Sequence, residues 1–331
     1  MQLVTHAPGP ALGHTGGAVQ SGGAVHADGA ERPGVIVPSP EGDRLLDLGP
    51  EHTAGATTVL ELLSSGAALA AVRTAIDGAA MEALPLLADA QLRPALRPGK
   101  ILCLGYNYRG HVPAGEDPTA GDPEFPDVFV KTPNVLAGPT DAVVIPEASR
   151  DVDYEGEIAL VIGTRAKSVS VEKAMDHVAG YALFNDVSDR DWQGRSSQWE
   201  LGKCFDGFGP LGPVTPAAEI AEPQNLLVEV EREGVVTVSQ NTSTMIFPFA
   251  FLVHYLSQVM TLEPGDIIST GTPQKLPEAL ESHRRLSDGD AVTIRVAGLG
   301  ELTTRFVAPE ATGPDTLDAT STTTPEDNHD S

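Results

Sequence analysis

The segment Asp153-Tyr154-Glu155-Gly156-Glu157-Ile158-Ala159-Leu160-Val161-Ile162 runs from two closely spaced glutamates into an unbroken apolar stretch rich in branched side chains. A run of that length and composition reads as a buried β-strand. Period-two geometry then points Glu155 and Glu157 to the same face, with Cα atoms about 7 Å apart. Carboxylates so placed repel unless water or a cation neutralises them, and a divalent ion with oxygen ligands commonly does so in a partly dry site. With 46 Asp and Glu in the chain, Glu-x-Glu also arises by chance, and the pair alone reads more simply as a solvated strand face.

A third carboxylate shifts that balance. Tyr181-Ala182-Leu183-Phe184-Asn185 predicts another strand, ending at Asp186 inside the polar cluster Asn185-Asp186-Val187-Ser188-Asp189-Arg190-Asp191-Trp192-Gln193. Such clusters at strand ends often form sites. Three carboxylates without a suitably spaced His or Cys favour a hard ion, Mg²⁺, Mn²⁺ or Ca²⁺, over zinc. The competing reading is local, an Asx-type turn capped by Asp186 with a salt bridge from Arg190.

Further strand-like runs at 101–105, 128–131, 142–145, 157–162, 180–185, 226–232, 266–270 and 291–296 outnumber the helical ones. The clearest helices are 171–179 and 248–260, the latter with Pro248 in its first turn. The pattern predicts a mainly β (α+β) fold, a barrel or sandwich rather than a doubly wound sheet. Pro98-Gly99-Lys100 marks the start of this unit, which spans residues 98–308. Residues 1–97 read as a small N-terminal α/β accessory domain, with strands at 2–5 and 34–37 and a helix over 59–76 weakened at Gly66. Within it, a flexible Gly/Ala-rich loop at 6–32 would carry His6, His14 and His26 as solvated residues, and 309–331 read as a disordered acidic tail.

Composition narrows the function. A formal charge of −25 repels phosphate backbones and anionic lipid, so neither nucleic acid nor membrane is an expected partner. Two cysteines, Cys103 and Cys204, are too few for a disulfide framework or a cysteine zinc site. Met1 to Val25 has no basic n-region followed by an apolar h-region, and the expectation is a cytoplasmic protein.

The chain from about 98 to 306 also resembles the fumarylacetoacetate hydrolase (FAH) family through motifs in a single order. These are Gly105-Tyr106-Asn107-Tyr108-Arg109-Gly110-His111, Phe129-Val130-Lys131, Asp153-Tyr154-Glu155-Gly156-Glu157, the cluster at 185–193, Gly202-Lys203-Cys204-Phe205-Asp206, Gly209-Pro210-Leu211-Gly212-Pro213, and Pro264-Gly265-Asp266-Ile267-Ile268-Ser269-Thr270-Gly271-Thr272-Pro273. The resemblance implies an FAH-type mixed β-sandwich or β-roll catalytic domain, a homodimer, and a small anionic 2-oxo acid or dicarbonyl substrate. It implies that Glu155, Glu157 and Asp186 ligate Mg²⁺ or Mn²⁺, with Ca²⁺ a further candidate. It also implies that Arg190, Gln193 and Lys203 face the substrate and that Thr272 lies in the loop holding its carboxylate. These roles are chemically coherent. A metal-bound 2-oxo acid spreads enolate charge onto its oxygens, where a cation and Lys203 stabilise it, and Arg190 can clamp a carboxylate bidentately.

His111 is the candidate base, ahead of a Gly/Pro/Asp-rich segment at 113–126 that can close as a lid. In hydrolytic relatives it pairs with a Glu three places on to activate water; that position is Ala114 here, and Glu116 is the candidate substitute. The chain departs from the family twice more. Gln274-Lys275-Leu276-Pro277 replaces a glycine-rich turn after Pro273, and Cys204 stands where relatives often carry Ser and reads as a small buried side chain. The leading expectation is hydrolytic C–C cleavage of an acylpyruvate- or fumarylpyruvate-like 2,4-dioxo acid, with His111, Glu116 and Lys203 catalytic. The alternatives are an isomerase, decarboxylase or hydratase of 2-hydroxymuconate-type acids, which the missing Glu favours, and an inactive relative acting as a binding protein.

Overall fold

Every residue of the strand Gly156–Ile162 is buried, a condition met only by a strand covered on both faces. In the computed structural model, which describes residues 1–7, 31–110, 119, 121–281 and 284–309, this strand lies inside a large mixed sheet. Its neighbours are Val178–Asn185 and Ile267–Ser269, both antiparallel to it. Beyond the first come Gly209–Pro216, Gln2–Ala7, Arg32–Val37 and Arg44–Asp47; beyond the second come Ile101–Gly105 and the edge strand Asp127–Lys131. The N-terminal strands thus continue the same sheet, joined where Leu3 pairs with Val214. A second sheet runs Val235–Asn241, Leu227–Arg232, Ala291–Val296, Gly300–Val307, Ala142–Val144. The architecture is mainly β, as the strand-rich pattern predicts.

Alternation divides the apolar side chains between two cores. Ile158, Leu160 and Ile162 join Leu102 and Leu104, together with Val230, Ile294 and Leu302 of the second sheet. Ala159 and Val161 point the other way, toward Ile101 and Cys103 and the helices Val59–Leu63 and Gly66–Gly78, whose Leu62, Leu69 and Val72 cover that face. Gly156 sits against the second sheet. A Cβ there would lie 2.5 Å from Val230 Cγ2 and 3.0 Å from Ile294 Cγ1, so only glycine fits between the two glutamates.

Several expectations need correction. The helix over 59–76 is two helices, broken at Ser64-Ser65 because the Ser65 hydroxyl accepts from Ala68 N–H and starts a new one. The helix over 171–179 ends at Ala174, passes through the 3₁₀ turn Met175–His177, and becomes strand at Val178. Pro248 is the N-cap of Phe249–Val259 and not a first-turn residue. The expected loop at 6–32 does not hold at its ends, where the first strand runs through Ala7 and the next begins at Arg32; residues 8–30 lie outside the described residues. His6 is therefore buried, with Nε2 3.1 Å from Asp47 Oδ1. His14, His26 and most of the acidic tail lie outside the described residues. No helix among the described residues is long and apolar enough to cross a membrane.

Asp290 fastens the second sheet where Ala291–Val296 begins. Its carboxylate accepts from Arg232 Nη2 at 2.9 Å, from Arg284 Nη1 and Nη2 at 2.9 and 2.8 Å, and from Ser287 N–H at 2.7 Å. Burial alone would raise its pKa, but the Arg284, Ser287 and Arg232 contacts outweigh burial and bring it down to about 2 from an ordinary 3.8. A carboxyl with a lower pKa in the folded state contributes stability above its unfolded pKa and loses it as pH falls toward the folded one. Stability should therefore drop from about pH 4 to pH 2. Asp290→Asn should cost about 1–3 kcal/mol at neutral pH and make that acid limb shallower. Urea midpoints measured against pH test this; an acid limb of unchanged slope in the variant would remove Asp290 as its source.

Candidate metal and substrate site

Register brings the three predicted carboxylates together. Gly156 pairs with Asn185, so the residues just outside that pair, Glu155 and Asp186, meet at the strand ends, and Asp186 N–H donates to the Glu155 carbonyl at 2.9 Å. Glu157 joins them from inside the strand. One carboxylate oxygen from each lies within 4.8 Å of the others.

The surroundings sort these groups by charge partner. Lys203 Nζ donates to Glu155 Oε2 and Asp186 Oδ2, both at 2.7 Å, and Lys131 Nζ donates to Asp186 Oδ1 at 2.5 Å and to the Val187 carbonyl at 2.9 Å. Arg190 Nη2 holds Glu155 Oε1 at 2.7 Å and Asp153 Oδ2 at 2.9 Å. Among the described residues Glu157 accepts from neutral groups, Ser269 Oγ at 2.6 Å and Gly271 N–H at 2.8 Å. Burial, then the adjoining Asp186 and Glu155, push its pKa well above the usual carboxylate range. Burial opposes ionisation of Glu155 as well, but Lys203 and Arg190 outweigh it and hold that pKa low. The donor set is all oxygen and tightly grouped, and among the described residues no cation holds Glu157. It fits a hard divalent ion, which would neutralise Glu157 and polarise a bound carbonyl.

Glycines make the approach possible. A Cβ on Gly202 would lie 2.5 Å from Gln193 N and 2.6 Å from Asp189 O; without one, the turn Glu200–Lys203 lies against Arg190–Gln193 and delivers Lys203. Gly271, at φ +93°, turns its N–H to Glu157 where a Cβ would meet Asn107 Cβ at 2.9 Å.

Beside the cluster opens a cavity of about 440 Å³, whose wall includes Glu155, Arg190, Gln193, Lys203, Thr272 and Lys275. Gln193 Oε1 accepts from Arg190 Nη1 at 2.9 Å, and Thr272 Oγ1 donates to the Gly156 carbonyl at 3.1 Å. Trp199 stands edge-on to Tyr106 and Phe129 at 5.8 and 5.5 Å. Tyr108 also lines the cavity, and its buried Oη has no partner among the described residues. His111 and Glu116 lie outside the described residues; Arg109 and Asp122, which flank that segment, form an ion pair at 2.7 Å.

Two local expectations are corrected. Asp189, not Asp186, caps the turn, accepting from Trp192 N–H at 2.8 Å, because the cations beneath engage both Asp186 oxygens. Cys204 is half-buried, its thiol directed at the Val130 carbonyl. Lys131, Asp153 and Lys275 had no role in the sequence reading; Lys131 and Asp153 lie in motifs quoted above, and Lys275 lies at a noted departure.

The profile described as fumarylacetoacetate (FAA) hydrolase C-terminal matches residues 100–307. The chain belongs to the FAH family. It is 38% identical to an oxaloacetate tautomerase of Bos taurus over 81% of this chain and 86% of that one. Among solved structures, it resembles a 5-carboxymethyl-2-hydroxymuconate delta-isomerase of Mycobacterium smegmatis at 29% identity and TM-score 0.67, covering 93% of this chain and all of that one. It also resembles a maleylpyruvate hydrolase of Sphingobium sp. SYK-6, solved with manganese(II) and pyruvate, at 27% identity and TM-score 0.68, covering 94% and 100%. Members of this FAH family carry out hydrolysis or isomerisation, and this chain is an enzyme of that group.

Calorimetric titration with Mn²⁺ should find one site per chain. Glu157→Gln keeps the Ser269 and Gly271 bonds within reach, and should weaken that site by more than the roughly tenfold lost when only a group supporting a ligand is changed. Unchanged affinity would remove Glu157 from the ligand set.

Proposed function

We propose that this chain is a Mg²⁺- or Mn²⁺-dependent enzyme that interconverts the enol and keto forms of a small 2-oxo acid, with oxaloacetate the first substrate to test. The observation carrying this reading is the state of the cavity wall. Its carboxylates among the described residues, Asp153 and Glu155, are both held by cations, Asp153 by Arg190 and Lys275 and Glu155 by Arg190 and Lys203. Such a wall stabilises an enolate and offers no described carboxylate to activate water. Arg190 grips the substrate carboxylate, Lys203 neutralises the enolate oxygen, and the unpartnered Tyr108 hydroxyl donates a hydrogen bond. In this reading proton transfer at C3 falls to His111, expected from the sequence as a water-activating base; with Ala114 three places on, it lacks the Glu that would help it polarise a water. The name carried by the Bos taurus relative supports the same reading.

C–C hydrolysis is the second reading, favoured by the likeness to the maleylpyruvate hydrolase, and it assigns Glu116 to the water-activating pair. The two separate in one assay panel. Loss of enol-oxaloacetate absorbance above the buffer background should require a divalent ion and stop with EDTA. Lys203→Met should slow it by roughly a hundredfold or more, the scale on which a transition-state donor acts. Faster cleavage of acylpyruvates, or tautomerisation indifferent to both changes, would overturn the reading.

A homodimer belongs to the same proposal. The edge strand Asp127–Lys131 exposes Val128 and Val130, and its outer edge has no strand partner among the described residues. Light scattering after size exclusion should give twice the chain mass, and Val130→Lys should shift the population to monomer. A wild-type monomer at micromolar concentration would refute it.

A further inference from the structure

Lys275 takes no part in the chemistry above, yet it is one of the cations on the cavity wall. Its side chain is 14% exposed; Nζ pairs with Asp153 Oδ1 and lies 4.2 Å above the Tyr154 ring. The other Asp153 oxygen is held by Arg190 Nη2 and Nε at 2.9 and 3.2 Å. One carboxylate therefore separates Lys275 from Arg190, and the two cations stand side by side along the wall. An ammonium group has three donors, and among the described residues Lys275 spends one on a carboxylate that Arg190 already holds. The loop has a separate anchor, the Leu276 N–H donating to the Thr237 carbonyl at 2.8 Å.

Charge balance gives Lys275 a purpose. The described site contains four cations, Lys131, Arg190, Lys203 and Lys275, and four carboxylates, Asp153, Glu155, Glu157 and Asp186. Counted with Glu157 ionised, as a metal ligand must be, these cancel. A divalent ion on the three ligands would then leave an excess of two positive charges around the cavity. A monoanion would compensate one of them, whereas a dianion balances the site.

We propose that Lys275 recognises a second carboxylate and that the site selects 2-oxo dicarboxylates over 2-oxo monocarboxylates. This rests on the cavity binding 2-oxo acids, but on no particular reaction following. The 2-oxo and first carboxylate groups sit toward Arg190 and Lys203, and the distal carboxylate takes the unused Lys275 donors.

The test compares 2-oxoglutarate with 2-oxopentanoate, acids of equal chain length that differ in the terminal carboxylate, titrated calorimetrically into the Mn²⁺-loaded protein. The wild type should prefer 2-oxoglutarate. Lys275→Met should weaken 2-oxoglutarate at least about tenfold, the scale of one charge-assisted hydrogen bond, and move 2-oxopentanoate less than about threefold on the same scale. Lys275→Arg should keep the preference, and unchanged Mn²⁺ affinity in both variants shows that the fold and ligand cluster are intact. Equal weakening of both acids, no weakening of either, or no binding of 2-oxoglutarate to the wild type would overturn the assignment. Lys275-dependent binding of the dianion without tautomerase turnover would uphold it while removing the proposed reaction.

Discussion

Three carboxylates forced together at the ends of two antiparallel strands are the constraint from which the rest of this structure follows. Their mutual repulsion in a buried setting is large enough to exclude the arrangement unless positive charge is built in around it. Lys131 enters from the edge strand, Lys203 from a short turn and Arg190 from the segment after Asp189, each reaching a different carboxylate oxygen. The glycines answer to the same constraint. Gly156 lets the strand between the glutamates lie flush on the second sheet, and Gly202 lets Lys203 come close enough to matter.

The cluster can be this dry because of where its strand lies. A two-sided core packs Gly156–Ile162, with apolar side chains toward the second sheet on one face and toward the N-terminal helices on the other. Those helices also shape the site indirectly. They cover Ala159 and Val161, while at the end of the same face Glu157 meets polar groups, the Ser269 hydroxyl and the Gly271 N–H. Strands and their ends hold the ligands, and apart from Lys131 on its edge strand the cations come from short helical turns and a loop, a division suited to fixing one set of atoms while others adjust to a substrate.

What was legible in the sequence was local. Glu155 and Glu157 share a face because strands alternate, and Asp186 ends a run whose composition alone marks a strand. The strand Gly209–Pro216 was missed because its glycines and prolines read as turn signals, although it is buried throughout and Gly209 is demanded by Val135 Cγ2, 2.6 Å from where a Cβ would sit. Lys131 and Lys275 acquire their roles only through partners 55 and 122 residues away, a relation no window of sequence displays. His6 failed differently. Its loop-like neighbours hid the fact that the first strand extends past it, with pairing to Arg32 and Leu92 on either side.

Lys203 shows why substrate and metal chemistry are coupled here. Its ammonium group holds one oxygen of each of two candidate ligands, Glu155 Oε2 and Asp186 Oδ2. Lys131 holds the other Asp186 oxygen, so both oxygens of Asp186 are engaged by ammonium groups. Two cations cannot both be the main partner of one oxygen pair. A divalent ion drawing on either oxygen would compete with Lys203 for it and leave ammonium donors free toward the cavity that Lys203 lines, where an anionic oxygen would meet them. The ammonium that steadies the carboxylates without an ion is thus the group made available to the acid when one is bound.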